Sequence, residues 1–266
     1  MSITIHQVDA FTAVPFRGNP AAVCVLERAA SAEWMQAVAA EMNLSETAFL
    51  HRAGESWRLR WFTPEVEVEL CGHATLASAH VLWETNAAPR SDALLFQTLS
   101  GALGARFVEG RIELDFPAKI VVEDTPPIGL IDALGVRPLF VGRNVFDWLV
   151  EVASEAEVRA CTPDFGRLKR ADARGVIVTA HSSDARFDFA SRFFAPAVGI
   201  DEDPVTGSAH CALAPFWARK LGRNKLTAFQ ASRRGGVLML EARGDRVGIG
   251  GHAVTVLTGT LHSDPT

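Results

Sequence analysis

The sequence predicts an α+β protein that is built from two related halves. Three observations carry this prediction. The chain has 266 residues, which suits about two domains; strand-like and helix-like segments alternate along it; and one stretch of sequence occurs twice. Hydrophobic residues make up 48% and charged residues 21% of the chain, which is ordinary for a globular protein and argues against disorder.

The repeat relates residues 60–83 of the first half to residues 192–217 of the second. Four identities occur at one constant spacing, pairing Arg60, Phe62, Pro64 and Val66 with Arg192, Phe194, Pro196 and Val198. The second copy carries two or three extra residues before its glycine turn. Self-similarity of this kind indicates a duplicated supersecondary layout, with chance matching as the alternative. We expect domains at 1–120 and 121–266, with a linker at Pro117–Pro127 and the C-terminal segment free to return to the first domain.

The first elements are predicted from local patterns. Ala21–Leu26 is a short apolar strand after the turn Gly18–Pro20. Ser31–Met42 has an N-cap candidate in Ser31 and apolar residues at helical spacing, which predicts an amphipathic helix. Further strands are expected at 47–50, 57–62, 111–116, 175–179 and 246–249.

Two segments predict buried helices, one in each half. Thr75–Trp83 is rich in alanine and nearly uncharged, and a helix that is apolar on all faces is a buried helix. Ser208–Trp217 is similar but contains Pro215, which removes a backbone donor from a helix interior. The second helix is therefore expected to be shorter or kinked.

Composition excludes several classes of function. Acidic residues number 31 against 26 basic ones, a net charge of -5, so no basic field favours nucleic acid. The uncharged stretches are shorter than the roughly 18 to 20 residues of a membrane helix, and the N-terminus lacks the basic start of a secretory signal. The chain has no Tyr, so no phenol can transfer a proton. We expect a cytoplasmic protein with reduced thiols at its widely spaced cysteines, Cys24, Cys71, Cys161 and Cys211.

A glycine turn leads into each buried helix, at Gly72 and at Gly207. A helix N-terminus offers unpaired N–H groups and the positive end of the helix dipole, so it holds an anion well. Two such ends facing one cleft would suit a small carboxylate substrate better than a nucleotide, because neither turn has a P-loop or dinucleotide fingerprint. The alternative is that the glycines only permit tight turns over packed helices.

Two acids are candidates for the chemistry. Glu46 precedes an apolar strand, where desolvation would raise the pKa of a carboxyl and suit it to general acid–base catalysis. The corresponding segment of the second half, at Gly175, has no acidic residue, which favours catalysis by a single base. Asp203 is the last residue of an acidic cluster at 201–203, directly before the second glycine turn. It could orient an amine or hydroxyl of a substrate. The alternatives are a solvated glutamate at a helix end and an acid that only caps a helix.

His73 and Cys71 flank the first glycine. An imidazole at this helix end can bind a carboxylate or relay a proton, and Cys71 is either an acid or nucleophile or a buried structural residue. Its counterpart in the second copy is expected at Asp203, Pro204 or Val205, none of which is a thiol. The spacing of the histidines and cysteines matches no zinc motif, so no metal is expected.

Seven short segments lie in order along nearly the whole chain: DAFT at 9–12, GNP at 18–20, NLSET at 43–47, FTP at 62–64, CGHAT at 71–75, DFP at 115–117 and EDPVTGSA at 202–209. This ordered set resembles the PhzF family of phenazine-biosynthesis-type isomerases, which share the diaminopimelate-epimerase fold. The resemblance implies two pseudo-symmetric α+β domains. Each would be a curled, barrel-like, mostly antiparallel sheet around a central helix, with the active site in the cleft between them.

The resemblance also implies roles for individual residues. The catalytic glutamate falls on Glu46, and the assisting groups fall on His73 and Asp203. Substrate-binding positions fall on Ser45, Gly72, Gly207 and Ser208. The implied activity is a cofactor-independent isomerase, a homodimer that moves a proton between carbons of a small cyclic or amino-bearing carboxylate.

Two other functions remain open. An amino-acid epimerase or racemase would use Cys71, although a two-thiol racemase is disfavoured because only one such cysteine position is present. A small-molecule-binding or interaction protein would keep the fold without turnover.

Overall fold

The computed structural model describes residues 3–171, 173–263 and 265. The chain forms two compact units. One contains the residues up to Asp115 together with those from Gly250 onward, and the other is Phe116–Ile249. In the part of the chain that the structure describes, no helix has the length and apolar character needed to span a membrane.

The first unit is a mixed, mostly antiparallel sheet with two helices. Its elements are β1 (Ile3–Ala10), β2 (Asn19–Leu26), α1 (Ala32–Met42), β3 (Glu46–Ala53), β4 (Ser56–Phe62), β5 (Glu67–Val68), α2 (Gly72–Glu84), β6 (Leu94–Thr98), β7 (Gly101–Val108), β8 (Arg111–Pro117) and β18 (Ala253–Leu261). β1 pairs with β18 and β2, and the pairing continues through β3 and β4 to β5 and β6, then β7 and β8. Only the β2–β3 and β4–β6 pairs of this series are parallel. α2 packs against β1, β2, β3 and β18 and is buried along nearly its whole length.

The second unit repeats this order of pairing. Its elements are β9 (Val122–Glu123), α3 (Leu130–Leu134), β10 (Phe140–Arg143), β11 (Asp147–Glu151), α4 (Glu155–Ala160), α5 (Phe165–Leu168), β12 (Gly175–His181), β13 (Phe189–Ala195), a 3₁₀ turn (Pro196–Val198), β14 (Ile200–Asp203), α6 (Gly207–Leu221), β15 (Lys225–Gln230), β16 (Gly236–Arg243) and β17 (Arg246–Gly251). β10 to β16 pair as β1 to β7 do, with β11–β12 and β13–β15 parallel. β9 lies in the segment expected to be a linker and pairs with β10. α6 packs against β15 and β16.

The predicted repeat is confirmed by this shared pairing and by one duplicated ion pair. Arg60 of β4 binds Glu67 of β5 through two hydrogen bonds of 2.7 Å. Arg192 of β13 binds Glu202 of β14 in the same way, at 2.6 and 2.9 Å. A bidentate guanidinium–carboxylate pair fixes both position and direction. Each unit therefore anchors its short outer strand with the same chemistry.

The helix predicted after Ser31 is confirmed, with its cap. Ser31 Oγ accepts the N–H of Trp34 at 3.2 Å, which satisfies one of the donors that a helix start leaves unpaired. α1 ends where Asn43 adopts a left-handed φ of 49° and donates its N–H to Ala39. The apolar face of α1 packs over the sheet, with Trp34 edge-on to Phe49 at 5.7 Å between ring centroids.

α6 corrects one expectation. It spans 15 residues and is longer than the 13-residue α2, so the second helix is not the shorter one, and a kink at Pro215 stays a prediction. Pro215 has no N–H and leaves the carbonyl of Cys211 without its helical donor. The backbone N–H of Lys119 donates to that carbonyl at 2.9 Å. A segment outside the helix thus supplies the hydrogen bond that the proline removes.

Candidate active site

Glu46 is the first residue of β3, directly after the turn that ends α1. The left-handed Asn43 stops the helix and redirects the chain into the strand. The next residue, Thr47, is fully buried, while the Glu46 side chain keeps 13% exposure. The carboxyl therefore lies at the boundary between the apolar core and solvent, where a base can be both desolvated and reachable.

His73 is the partner of this carboxyl. It is the second residue of α2, and its side chain is only 6% exposed. His73 Nε2 lies 3.1 Å from Glu46 Oε2. Among the described residues, neither of these two buried atoms has another hydrogen-bond partner. The structure thus brings together the two residues that the sequence proposed as base and relay.

The other ring nitrogen of His73 faces two uncharged groups. Asn19 Nδ2 lies 3.2 Å and Cys71 Sγ 3.4 Å from His73 Nδ1. Asn19 is the first residue of β2, and Cys71 is the N-cap of α2. Sequence reasoning missed Asn19 as a site residue, although it flagged the turn Gly18–Pro20 that contains it.

The surroundings set the protonation of the cluster. Burial alone lowers the pKa of His73, but the adjacent Cys71 and Glu46 groups outweigh it, so this pKa lies well above its usual value. Burial and the Glu46 charge raise the pKa of the Cys71 thiol to about 11. At neutral pH the thiol is therefore neutral, and the carboxylate of Glu46 is the group that favours a protonated imidazole.

The same side chains offer three kinds of metal donor. Glu46, Cys71 and His73 present ligand atoms that all lie within 4.8 Å of one another. Oxygen, sulfur and nitrogen are all donors to zinc, but a thiol and an imidazolium must lose their protons first. Because both of these pKa values are raised, protons compete with any metal, and we assign no metal here.

Asp203 lies in the second unit, at the end of β14. Its Oδ2 accepts the hydroxyl of Thr206 at 2.5 Å. Thr206 is the N-cap of α6, as Cys71 is the N-cap of α2. The structural counterpart of Cys71 is therefore Thr206 and not Asp203, Pro204 or Val205. The sequence comparison misplaced it because the position of the inserted residues is fixed only when the helix starts are aligned.

Gln230 is a second residue that sequence reasoning missed. Its fully buried amide accepts the N–H of Thr206 at 2.8 Å and donates to the backbone carbonyl of Asp203 at 2.8 Å. It thereby fixes the turn that leads into α6. The signal in the sequence is a Phe-Gln pair that occurs in both halves, at 96–97 and 229–230.

Two of the proposed substrate-binding residues, Gly72 and Gly207, lie at equivalent places in the two units. Ser45 directly precedes Glu46, and Gly72 begins α2. Gly207 begins α6, and the half-buried Ser208 follows as the second residue, which is the place that His73 occupies in α2. The first N–H groups of a helix have no intrahelical acceptor. Each unit therefore offers backbone donors of the kind that bind carboxylate oxygens.

A steric contact disfavours an acidic residue at Gly175, the position in the second unit that corresponds to Glu46. The parallel pairs begin with Ala21 opposite Glu46 in the first unit and with Asp147 opposite Gly175 in the second. A Cβ on Gly175 would lie 2.3 Å from the ring of Phe193. Because real Cβ atoms do not approach carbon so closely, this position cannot carry a side chain without displacing the ring. An acidic residue at position 175 would therefore have to displace the Phe193 ring, and the carboxyl of Asp147 already lies 3.0 Å from the Cβ position.

Comparisons with known proteins give one consistent result. The profile of the PhzC-PhzF family, described as phenazine biosynthesis-like protein, matches residues 8–259. The chain is 53% identical over 262 residues to an uncharacterized isomerase of Halalkalibacterium halodurans, covering 98% of this chain and 99% of that one. A PhzF-family crystal structure from Enterococcus faecalis superposes with a TM-score of 0.94 at 42% identity, covering 99% of this chain and all (100%) of that one. A hydroxyproline epimerase from Agrobacterium vitis shares the fold alone, with a TM-score of 0.63, 11% identity and coverage of 98% and 91%.

Proposed function

The chain belongs to the PhzC-PhzF family of phenazine biosynthesis-like proteins, and from this premise we propose that it is a cofactor-independent isomerase. It moves a proton between carbons of a small cyclic or amino-bearing carboxylate. The observation that supports this proposal most directly is the 3.1 Å contact between Glu46 and His73 at the edge of the core. A partly buried carboxylate beside an imidazole is a suitable pair for general acid–base catalysis.

Each residue of the pair has a distinct task. The Glu46 carboxylate removes a proton from an activated C–H bond and, once protonated, returns it to another carbon on the same face. His73 holds Glu46 in place. It either relays the proton or balances the negative charge that Glu46 loses and regains during the transfer. The absence of a side chain at Gly175 favours a single base over a two-base inversion.

Residues of the second unit bind the substrate in this proposal. Asp203 orients an amino or hydroxyl group, and its carboxylate is held by the Thr206 hydroxyl. Ser208 and the backbone N–H of Gly207 bind carboxylate oxygens, as Ser45 and Gly72 do in the first unit. Charged hydrogen bonds of this type contribute both affinity and orientation.

An epimerase that uses Cys71 is the second candidate. A thiolate is the reactive form of cysteine, but the Cys71 thiol is buried and its pKa is raised to about 11. The thiol is therefore poorly suited to act as a base at neutral pH. A binding protein without turnover is the third candidate, and it predicts ligand binding without proton exchange.

The test starts with a thermal-shift screen of cyclic and amino carboxylates, followed by deuterium exchange from solvent into each ligand that binds. We expect Glu46→Gln to keep binding but to lose exchange by about 100-fold or more. The matched control is Glu41→Gln, because Glu41 is an exposed residue of α1.

Three outcomes discriminate the candidates. Exchange that survives Glu46→Gln would sink the proposed mechanism. Exchange that is lost in Cys71→Ser but kept in Glu46→Gln would identify the epimerase. Ligands that stabilise the wild-type protein without any exchange would indicate a binding protein.

Two further expectations accompany this proposal. We propose a homodimer, which light scattering on the purified protein would detect as twice the chain mass. We also propose a cytoplasmic location, because the four cysteines are free and buried, as thiols in a reducing compartment remain. A monomer at all concentrations would contradict the first expectation.

A further inference from the structure

The turn between β1 and β2 delivers a buried amide to the catalytic histidine. Asn19 is fully buried, and its Nδ2 lies 3.2 Å from His73 Nδ1. The proposed function gives roles to Glu46 and His73 but leaves this amide without one. A buried polar group that faces a catalytic ring has a direct route to influence it.

The local fold holds Asn19 rigidly. Gly18 has a φ of +63°, and a Cβ at this position would lie 2.1 Å from the carbonyl oxygen of Ala10. Glycine alone permits this close approach of backbone to backbone. Asn19 then pairs with Ala10 as the first residue of β2. The preceding loop is fixed as well, because the buried Asp9 accepts the N–H of Phe16 at 2.7 Å.

The two nitrogens of His73 meet different chemistry. Nε2 faces the Glu46 carboxyl from β3, and Nδ1 faces Asn19 from β2 and the Cys71 thiol from the start of α2. Glu46 and Cys71 are the titratable groups that contact the ring, whereas Asn19 carries no charge. Which nitrogen of a histidine acts is set by what the other nitrogen binds.

An amide is the side chain that can bind Nδ1 in both protonation states. Its NH₂ donates to a bare nitrogen, and after rotation its carbonyl oxygen accepts from a protonated one. A carboxylate could only accept, which would favour the imidazolium, and an aliphatic side chain could do neither. A histidine that gains and loses a proton during turnover needs such a neutral, two-way partner.

We propose that Asn19 is a positioning residue that holds His73 through Nδ1, so that Nε2 always faces Glu46. This inference rests on the proposed function for its catalytic meaning. The contact itself is testable without any substrate, so its failure and the failure of the proposed function are separate results.

The experiment follows His73 by NMR in protein labelled with ¹⁵N-histidine. The ring shifts report the tautomer and the titration midpoint in wild type, Asn19→Asp and Asn19→Leu. We expect Asn19→Asp to raise the midpoint of His73 by about one pH unit or more, because a carboxylate favours the imidazolium. Asn19→Leu should lower the midpoint and release the ring from a single tautomer.

Two control variants separate positioning from general damage. Asn86→Asp adds the same charge at an exposed residue of the same unit, and Ser78→Ala removes a buried hydroxyl from α2 that bonds to Ala74. Neither control should move the His73 midpoint. With a substrate in hand, both Asn19 variants should lower kcat about tenfold or more while KM changes less.

One measurement needs no variant. In the wild-type protein, the side-chain amide protons of Asn19 should shift with pH at the same midpoint as the His73 ring. Independent titration of these two signals would overturn the proposal, even if both Asn19 variants failed to fold. Folded Asn19→Asp and Asn19→Leu proteins with the wild-type His73 midpoint would overturn it equally.

Discussion

His73 Nε2 lies 3.1 Å from Glu46 Oε2, and this contact links the protonation of the site to the stability of the fold. Burial opposes the charge on His73, but its neighbours raise the pKa well above 6.5. A raised pKa contributes stability that is complete below the unfolded value and is lost as the pH rises through the folded value. The contact should therefore stabilise the protein most at pH 6.5 and below.

Glu46→Gln tests this link. We expect a cost of about 1–3 kcal/mol in the free energy of unfolding below pH 6.5, because a buried charged partner is removed. The cost should shrink at alkaline pH, where His73 is neutral in the wild type as well. Urea unfolding of both proteins across this range measures the difference. A cost that does not change with pH would show that His73 carries no charge in the folded protein.

Local patterns predicted the three longest helices and six of the strands, which is fewer than half of the elements in the part of the chain that the structure describes. The cap at Ser31 and the apolar spacing of α1 are interactions between residues close in sequence, so the pattern contains them. The two arginines of the duplicated ion pairs, Arg60 and Arg192, are also part of the repeat that the sequence shows. The contact between Glu46 and His73 joins two residues that the sequence singles out, because both follow recognisable turns at the starts of regular elements.

The remaining features depend on contacts between distant segments. The length of α6 depends on an N–H from Lys119, and no rule about Pro215 alone predicts that donor. Asn19 and Gln230 act through amides whose partners lie far along the chain. A buried amide has no sequence signature, since the same residue type is common in turns and on surfaces.

His210 should make the fold sensitive to acid. It is fully buried, and burial lowers its pKa to about 4 although its Nδ1–H donates to the Thr206 carbonyl at 2.8 Å. The neutral form therefore stabilises the fold above the unfolded pKa of 6.5, and this contribution is lost as the pH falls towards 4. The loss amounts to about 3 kcal/mol over this range.

His210→Asn isolates this contribution, since its amide can donate in the place of Nδ1. The variant should lose stability at neutral pH because the Asn side chain is smaller. However, the difference from wild type should narrow between pH 6.5 and 4. Chemical denaturation at several pH values provides the comparison. Parallel curves for the two proteins would contradict a neutral, buried His210.

Gly175 should be intolerant of any side chain. A Cβ there would lie 2.3 Å from the Phe193 ring, so Gly175→Ala should cost about 1–3 kcal/mol through overpacking. Gly104→Ala is the matched control, because it is a strand glycine with nothing within 4 Å of its Cβ position. Unfolding midpoints of the two variants measure the contrast. If Phe193→Leu does not reduce the cost of Gly175→Ala, the ring is not its cause.

The hydrogen bond that the Lys119 N–H donates should contribute most to the free energy of unfolding when Pro215 is present. Lys119→Pro removes the donor to the Cys211 carbonyl, and an unpaired buried carbonyl costs about 1–3 kcal/mol. Lys119→Ala is the control, because it keeps the N–H and removes only the side chain that lies 4.9 Å from the Phe146 ring. In a Pro215→Ala background the helix regains its own donor, so Lys119→Pro should cost less there. The strain that a new proline adds to the Lys119 segment is the same in both backgrounds and cancels in the double-mutant cycle. Strictly additive costs would show that the two backbone groups do not share the Cys211 carbonyl.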